Sequence, residues 1–325
     1  MPRIYYSANN YGNQFNHINT NGEEFILCRK LDLYRSIITV GSPSFVTWRE
    51  IRANGLFRTL SNSIIQKFLL VQSNIESNPN GMYLHHSFHN HVSDQKRIVS
   101  YNLGMAFAKY YAEKLLKIPN LTHLETLKKI GAVEFVKQTG KSKEPDLVGM
   151  TSNGDWHVFE AKGMSSNKLA SEVIKAKNQA RQISTIHGQN PATLSACATF
   201  FGNNRITSLI EDPDSEGEKQ IKVKKDLFYE GYYNSFFSFR ELLDTKSKKE
   251  KFENIDYQSF NIKTKDLELT IGLESEVFEL LQEKNYELID EFYSSKKNSN
   301  ESNYGLDSEE ISIGLDGFIV KYLNY

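Results

Sequence analysis

Residues 144–162 read EPDLVGMTSNGDWHVFEAK, and this stretch decides the fold class. It contains two short apolar runs separated by a polar turn at residues 151–155, a pattern typical of two paired strands. Pairing would bring Asp146, where the first strand begins, close to Glu160, where the second strand ends. Since alternate strand residues face the same side of a sheet, Glu160 and Lys162 are predicted to share one face.

Helix and strand patterns on either side of this hairpin predict an α/β layer arrangement. Apolar residues repeat at helical spacing over Tyr101–Ile118, and Pro119 ends that helix. We predict strands at Ala132–Val136 and Thr193–Phe201 and a long helix at Asn167–His187. The order of elements is then helix, three strands, helix, strand, and we expect a central mixed sheet flanked by helices.

The remaining segments carry weaker patterns. Glu24–Leu33 and Ser36–Val40 are predicted strands, and residues 51–68 have helical spacing. Phe228–Leu243 is predicted to be a helix rich in aromatic residues, and Ile311–Val320 a strand near the end of the chain.

Charge divides the chain unevenly. From Phe252 to Tyr325 there are 16 acidic and 6 basic residues, a net charge of −10, so the first 251 residues carry +9 within a total of −1. A positive body suits a polyanionic partner, although solvated charge on unrelated faces explains the count equally well. We predict an N-terminal α/β extension, a core, and an acidic C-terminal region that is a candidate for binding a partner, at residues 1–100, 101–243 and 244–325.

Composition and cysteine usage indicate a soluble globular protein. Hydrophobic residues make up 39% of the chain and charged residues 24%, which are ordinary proportions. Cys28 and Cys197 lack any metal-binding spacing, and two isolated thiols fit a reducing compartment. No targeting segment is visible, and no apolar run approaches the roughly 18 residues of a membrane helix. We expect a cytoplasmic protein with no membrane partner.

The hairpin holds the residue types that phosphodiester cleavage needs. Magnesium prefers oxygen ligands and keeps several waters, so the carboxylates of Asp146 and Glu160 would suffice to hold it, with the backbone carbonyl of Ala161 within reach. Lys162 would orient or activate the attacking water and offset charge on the phosphate. The spacing alone is a weak motif, and a surface hairpin with charged ends is the alternative interpretation.

The segment from Tyr101 to Phe201 resembles the catalytic core of the PD-(D/E)xK phosphodiesterases, the restriction-endonuclease-like nucleases. The PD element that ends at Asp146 and the ExK element from Glu160 to Lys162 carry this resemblance. The family includes type II restriction enzymes, Holliday-junction resolvases and helicase-linked exonuclease domains. The resemblance implies a core of helix, three strands, helix and strand, and a metal-dependent nuclease that uses Mg²⁺, with Mn²⁺ as a substitute.

The resemblance also implies supporting residues on the two core helices. Many members add an acidic metal ligand from the first helix, for which Glu113 is our candidate and Glu125 the second choice. Several members carry a Gln or Lys on the helix after the ExK element, and we choose Gln179 over Lys177 and Gln182 as a catalytic residue. An ordinary solvated face is the alternative for these positions.

Basic residues surround the predicted centre in the sequence and could line a phosphate track. A solvated helix face is the alternative for those that follow residue 167. The candidates for nucleic-acid binding are Lys141, Lys143, Lys168, Lys177 and Arg181, and Lys175 lies among them.

Two further clusters are ambiguous. Residues 85–91 hold half of the eight histidines, and we favour a polar loop near the nucleic-acid path over a zinc site, because His86 and His89 would need a turn to converge. Six aromatic residues between Tyr229 and Phe239 could stack on bases, but a packed core or a subunit interface is the favoured interpretation.

Two functions follow from these patterns. The first is a nuclease that cuts nucleic acid, with DNA as the expected substrate, as the effector of a prokaryotic defence or repair system; that role rests on analogy of fold alone. The second is a nuclease-fold subunit that binds nucleic acid or a partner protein without cutting. The intact set of Asp146, Glu160 and Lys162 favours the first. A homodimer stays open, because one centre cuts one strand.

Overall fold

The computed structural model describes residues 1–40, 55, 64–137, 143–242, 248–252, 254–263, 267–298 and 310–324. The chain in these ranges is mixed α/β. Its strands are β1 Arg3–Asn9, β2 Glu24–Leu27, β3 Ile75–Asn78, β4 Gly81–Leu84, β5 Asn120–His123, β6 Val133–Lys137, β7 Leu147–Met150, β8 Trp156–Met164, β9 Ile183–Ile186, β10 Thr193–Phe201, β11 Ile206–Glu211, β12 Lys219–Val223, β13 Lys248–Phe252, β14 Ile255–Lys263, β15 Leu267–Glu274, β16 Ile311–Ile313 and β17 Phe318–Asn324.

The α-helices surround these strands, and none in the described ranges is long and apolar enough to cross a membrane. They are α1 Lys30–Val40, α2 Gln66–Asn74, α3 Ser93–Leu116, α4 Leu124–Lys129, α5 Leu169–Ala180, α6 Lys225–Leu242, α7 Ser275–Gln282 and α8 Tyr286–Asn298. Within the described ranges, 3₁₀ helices occupy Asn13–Ile18 and His86–Asn90.

A seven-stranded central sheet has the order β2-β1-β11-β10-β8-β7-β5. It is mixed, as predicted, because β8 pairs parallel with β10 and antiparallel with β7. A parallel pair needs a crossover connection, and the chain between β8 and β10 contains helix α5. Strands β1 and β2 belong to this sheet as well, so part of the predicted N-terminal extension is continuous with the core. The predicted boundaries near residues 100 and 243 stay predictions.

The predicted hairpin of β7 and β8 is confirmed. Leu147 pairs with Phe159 and Met150 with Trp156. In the turn, the N–H of Gly154 donates to the carbonyl of Thr151 at 3.0 Å. Gly154 has a φ of +83°, which favours glycine, and so the polar turn is built from the residues that the sequence indicated.

Helix α3 crosses strand β8 at a point with no room for a side chain. A Cβ atom on Gly163 would overlap the carbonyl oxygen of Ser100, and one on Gly104 would lie 2.7 Å from the Gly163 nitrogen. Gly163 therefore faces α3. The neighbouring Lys162 contacts Gln179 of α5, so the two helices lie on opposite faces of the sheet.

The strand beside β7 is not the one that we predicted. Ala132–Val136 does overlap a strand, β6, but β6 belongs to a separate three-stranded sheet with the order β6-β12-β9. The neighbour of β7 is the four-residue strand β5, in which Asn120 pairs with Met150. Four residues are too few for an alternating pattern, which is why the sequence did not reveal β5.

Four other predicted elements need correction. Glu24–Leu33, predicted as one strand, is strand β2 over Glu24–Leu27, and α1 then begins at Lys30. Ser36–Val40 is wrong as a strand and belongs to α1; the β-branched run suggested a strand, but tertiary packing overrides such propensity. The helix predicted over Asn167–His187 ends at Ala180 and is followed by β9. The predicted strand Ile311–Val320 is two strands, β16 and β17, paired antiparallel. The helix predicted over residues 51–68 falls mostly outside the described ranges.

The aromatic block of α6 is confirmed as core packing in its described side chains. Tyr229, Tyr232, Tyr233 and Phe236 are all buried. The ring of Tyr233 stacks on Phe318 of β17 with 5.4 Å between the ring centroids. This block therefore packs the C-terminal strands against α6 and does not present an open surface to bases.

We expect Gly163→Ala to destabilise the protein by about 3 kcal/mol or more, because its new methyl group would meet backbone atoms that cannot rotate away. Urea denaturation measures the free energy of unfolding. Gly12→Ala is the matched control, since nothing lies within 4 Å of a Cβ atom there. Equal stabilities of the two variants would contradict the packing described for α3 and β8.

Candidate active site

The strands β7 and β8 separate where the candidate centre lies. Asp146 directly precedes β7, and the last ladder pair at this end is Leu147 with Phe159. Beyond that pair, the backbone N–H groups donate to carboxylate oxygens of the other strand and not to its carbonyls. The N–H of Asp146 donates to Glu160 Oε2 at 2.9 Å, and the N–H of Ala161 donates to Asp146 Oδ2 at 3.2 Å. The predicted closeness of Asp146 and Glu160 is confirmed, and each carboxylate is held by a backbone N–H of the other strand.

Lys162 lies on the same face as Glu160, as strand alternation predicted. Its ammonium group donates to the Glu160 carboxylate and, at 2.8 Å, to Gln179 Oε1. Gln179 projects from α5, so the helix after the ExK element contributes to the centre as expected. Lys162 keeps 25% of its side-chain surface exposed, whereas Glu160 is fully buried. Lys162 thus leads from the buried carboxylate towards solvent.

Burial and the neighbouring carboxylate of Asp146 favour the protonated form of Glu160. Burial, followed by the negative charge of Asp146, raises the pKa of Glu160 to about 8, although Lys162 acts in the opposite direction. Burial also raises the pKa of Asp146, and Lys162 again lowers it. The pair therefore holds a proton near neutral pH in the absence of a cation. A bound cation would offset the same repulsion.

The donor chemistry fits a hard divalent cation. The N–H and C=O of one strand residue point towards the same neighbouring strand, so the carbonyl of Ala161 is directed to the side of Asp146. Two carboxylates and a carbonyl are the oxygen donors that Mg²⁺ and Mn²⁺ accept. Within the described ranges, no three His, Cys, Asp or Glu side chains gather around a metal position, and this centre offers two.

Comparison with family models, curated proteins and solved structures finds no match for this chain. The function must therefore be inferred from the geometry of the centre itself.

The structure does not bring Glu113 to the centre. Both of its carboxylate oxygens accept hydrogen bonds from Arg35, at 2.6 and 2.8 Å, inside a buried cluster that also holds Lys109 and Asp316. Glu113 lies nine residues after Gly104, about 13 Å further along α3 at 1.5 Å per residue. The prediction of Glu113 as a metal ligand of this centre is therefore wrong.

Glu125, the second choice, lies nearer to the centre. The N–H of Leu124, at the start of α4, donates to the carbonyl of Asp146 at 2.9 Å. The Glu125 side chain is exposed and pairs with Lys129 at 3.0 Å, which lowers the pKa of this carboxyl. Its backbone thus adjoins the centre, while its carboxylate is paired at the surface.

Tyr101 lies near the two carboxylates, although the sequence assigned it only to a helix. Burial and the negative charges of Asp146 and Glu160 raise its pKa. Its side chain nevertheless stays 39% exposed. The sequence could not indicate this position, because it depends on the packing of helix α3 against β8. Tyr101 follows Ser100, which contacts Gly163 beside Lys162.

The predicted basic track is only partly available to a ligand. Lys143 and Lys168 are exposed and pair with no carboxylate in the described part of the chain. Lys177 pairs with Glu211 and Arg181 with Glu216, both at 2.7 Å, which partly neutralises them. Lys175 pairs with Glu172 at 2.5 Å, and Lys141 lies outside the described residues.

We expect the metal-free protein to lose stability between about pH 4.5 and 8 through Glu160. Its folded-state pKa lies above the ordinary value of 4.5, so the folded state binds the proton more tightly and the free energy of unfolding falls as pH rises through this window. One proton gives a slope of at most about 1.4 kcal/mol per pH unit. Urea denaturation in EDTA should show a smaller slope for Glu160→Gln.

Glu125→Gln is the control for this measurement, because the pKa of Glu125 is lowered and lies outside the window. Its slope between pH 5 and 8 should match that of the unmodified protein. The buried-proton account fails if Glu160→Gln keeps the full slope as well.

Proposed function

We propose that this protein is a metal-dependent nuclease of the PD-(D/E)xK type that hydrolyses phosphodiester bonds, with DNA as the expected substrate. One observation carries the proposal: Asp146 and Glu160 are held together by reciprocal hydrogen bonds where β7 and β8 separate. Lys162 extends from the same face towards solvent. This set of groups matches what phosphodiester hydrolysis needs.

The arrangement of elements supports a restriction-endonuclease-like core. Helix α3, strands β5, β7 and β8, helix α5 and strand β10 follow the expected order of helix, three strands, helix, strand. The four strands are neighbours in the central sheet. Strand β7 pairs antiparallel with both β5 and β8, and β10 lies parallel to β8. Other elements are interspersed without separating these neighbours.

Asp146 and Glu160 would bind the cation, and the carbonyl of Ala161 adds a third oxygen. A bound Mg²⁺ ion supplies Lewis-acid polarisation of the phosphoryl oxygen and a lowered pKa for its bound water. Glu160 must lose its proton before it can act as a ligand, because its pKa lies near 8 in the absence of a cation. Glu160 would therefore give up its proton on binding a cation.

Lys162 and Gln179 would act on the substrate side. The Lys162 ammonium group is positioned by its hydrogen bonds to Glu160 and Gln179. It can orient the attacking water and stabilise negative charge on the phosphoryl oxygens. The exposed Lys143 and Lys168 flank the centre in the sequence and would hold neighbouring phosphates.

We expect purified protein to cut nucleic acid in Mg²⁺ or Mn²⁺ but not in EDTA. Asp146→Asn and Lys162→Ala should each lower the rate by about 100-fold or more, because each removes a group that stabilises the transition state. Supercoiled plasmid, linear duplex, single-stranded DNA and RNA are the substrates to compare. Lys175→Ala is the control, since within the described ranges the Lys175 side chain pairs with Glu172 at the surface.

The outcomes separate the two candidate functions. Cleavage that persists in both Asp146→Asn and Lys162→Ala would place the chemistry elsewhere. Binding without cleavage, under every metal condition, would support the alternative of a nuclease-fold subunit that binds but does not cut.

We expect Gln179→Leu to lower kcat by about tenfold and leave KM within about twofold, because it removes an acceptor that orients Lys162. Steady-state kinetics on the best substrate measure both constants. Gln182→Leu is the matched control. Gln182 lies just after α5 ends, and in the described part of the chain its side-chain amide donates to the carbonyl of Asn178. Equal kcat values for the two variants would show that Gln179 does not contribute to catalysis.

A further inference from the structure

The histidines between residues 85 and 91 lie in a turn at the end of the central sheet that carries Lys162. Strand β4 ends at Leu84, whose N–H donates to the carbonyl of Gly202 at 3.1 Å. Gly202 directly follows β10, and β10 runs parallel to β8. The 3₁₀ helix His86–Asn90 comes next, and α3 then begins at Ser93.

Two paths limit the distance between this turn and the candidate centre. Helix α3 covers about 10 Å between Ser93 and Ser100, which contacts Gly163. Along the sheet, Ala198 of β10 is the partner of Lys162. Asn203 lies five residues further along the chain, and so at most about 17 Å from Ala198. The turn therefore lies within about 20 Å of the centre, a span of about six stacked nucleotides or fewer.

A cavity of about 450 Å³ opens at this turn. Its volume falls within the range of small-ligand pockets. Residues i and i+3 of a 3₁₀ helix are eclipsed, so His86 and His89 project from the same side of the turn. The rings of His85 and His86 lie 4.0 Å apart between their centroids. The side chains that line this cavity include those of Glu76, Tyr83, His85, His86, His89 and Asn203.

We propose that this cavity binds one unpaired nucleobase of the substrate strand, a few nucleotides from the bond that is cut. The inference rests on the proposed function. Flat rings of histidine and tyrosine stack on a base that has left its duplex, and the amide of Asn203 can bond to the edge of that base. A base inside a duplex is stacked and paired, so it cannot enter.

The charge of the lining favours a base over a phosphate. Glu76 lines the cavity, and its Oε1 lies 4.0 Å from His85 Nε2. A carboxylate repels a phosphate but accepts a hydrogen bond from the exocyclic amino group of a base. The cavity therefore complements the phosphate-binding Lys143 and Lys168.

Binding can be measured apart from cleavage. Fluorescence anisotropy in EDTA compares a single-stranded oligonucleotide of about 16 nucleotides with the matching blunt duplex. The double variant His86→Ala/His89→Ala should weaken single-strand binding by about tenfold and change duplex binding by less than about twofold. His17→Ala is the matched control, because His17 is exposed and lies in the 3₁₀ helix Asn13–Ile18.

A second measurement locates the base. Replacing successive bases of the oligonucleotide by 2-aminopurine should give one position whose fluorescence changes on binding, and the double variant should abolish that change. The proposal is overturned if the double variant binds single strands as tightly as the unmodified protein, or if it weakens duplex binding equally.

The two proposals can fail separately. Loss of single-strand binding in the double variant, in a protein that never cuts, would retain the cavity and reject the nuclease. Metal-dependent cutting by a protein whose double variant still binds single strands normally would support the nuclease and reject the base-binding cavity. Circular dichroism of the variants confirms that each one is folded.

Discussion

The direct contact between the backbones of helix α3 and strand β8 constrains the rest of the structure. Gly163 and Gly104 meet where a Cβ atom on either residue would overlap its neighbour, so the helix lies closer to the strand than side chains allow. Lys162, next to Gly163, consequently faces away from α3 towards α5. The Lys162 side chain and its partner Gln179 thus lie on the face of β8 opposite α3. The position of Gly163 against α3 fixes which face Lys162 occupies.

Helix α3 joins two regions of different chemistry. Near its N-terminal end, Tyr101 lies under the influence of the carboxylates of Asp146 and Glu160. Near its C-terminal end, Lys109 and Glu113 are buried with Arg35 of α1 and with Asp316, which lies between β16 and β17. Charges buried this deeply persist only when paired, and removing one partner typically costs about 3–5 kcal/mol. The helix is therefore held by buried ion pairs near one end, and near the other end it lies within the electrostatic influence of the two carboxylates.

Sequence patterns predicted the parts of this structure that depend on near neighbours. Asp146 and Glu160 are 14 residues apart and joined by one turn, so strand alternation was enough to bring them together and to place Lys162 beside Glu160. The partners of Glu113 could not be predicted, because Arg35 lies 78 residues away and Asp316 more than 200. Nor could β5, whose four residues show no period. The choice of Glu113 failed because a helical position was matched without knowledge of which end of the helix adjoins the sheet.

The centre is costly to maintain without a ligand, and this bears on why its residues lie together. Glu160 is fully buried beside a second carboxylate, and its hydrogen bonds do not offset the loss of hydration, since its pKa still rises to about 8. A neutral glutamine or an apolar residue would remove that repulsion. Structural packing therefore does not explain the pair, whereas a cation that replaces the proton would offset both burial and repulsion. The same burial would make the binding of a cation depend on pH, because the cation and the proton would compete for Glu160.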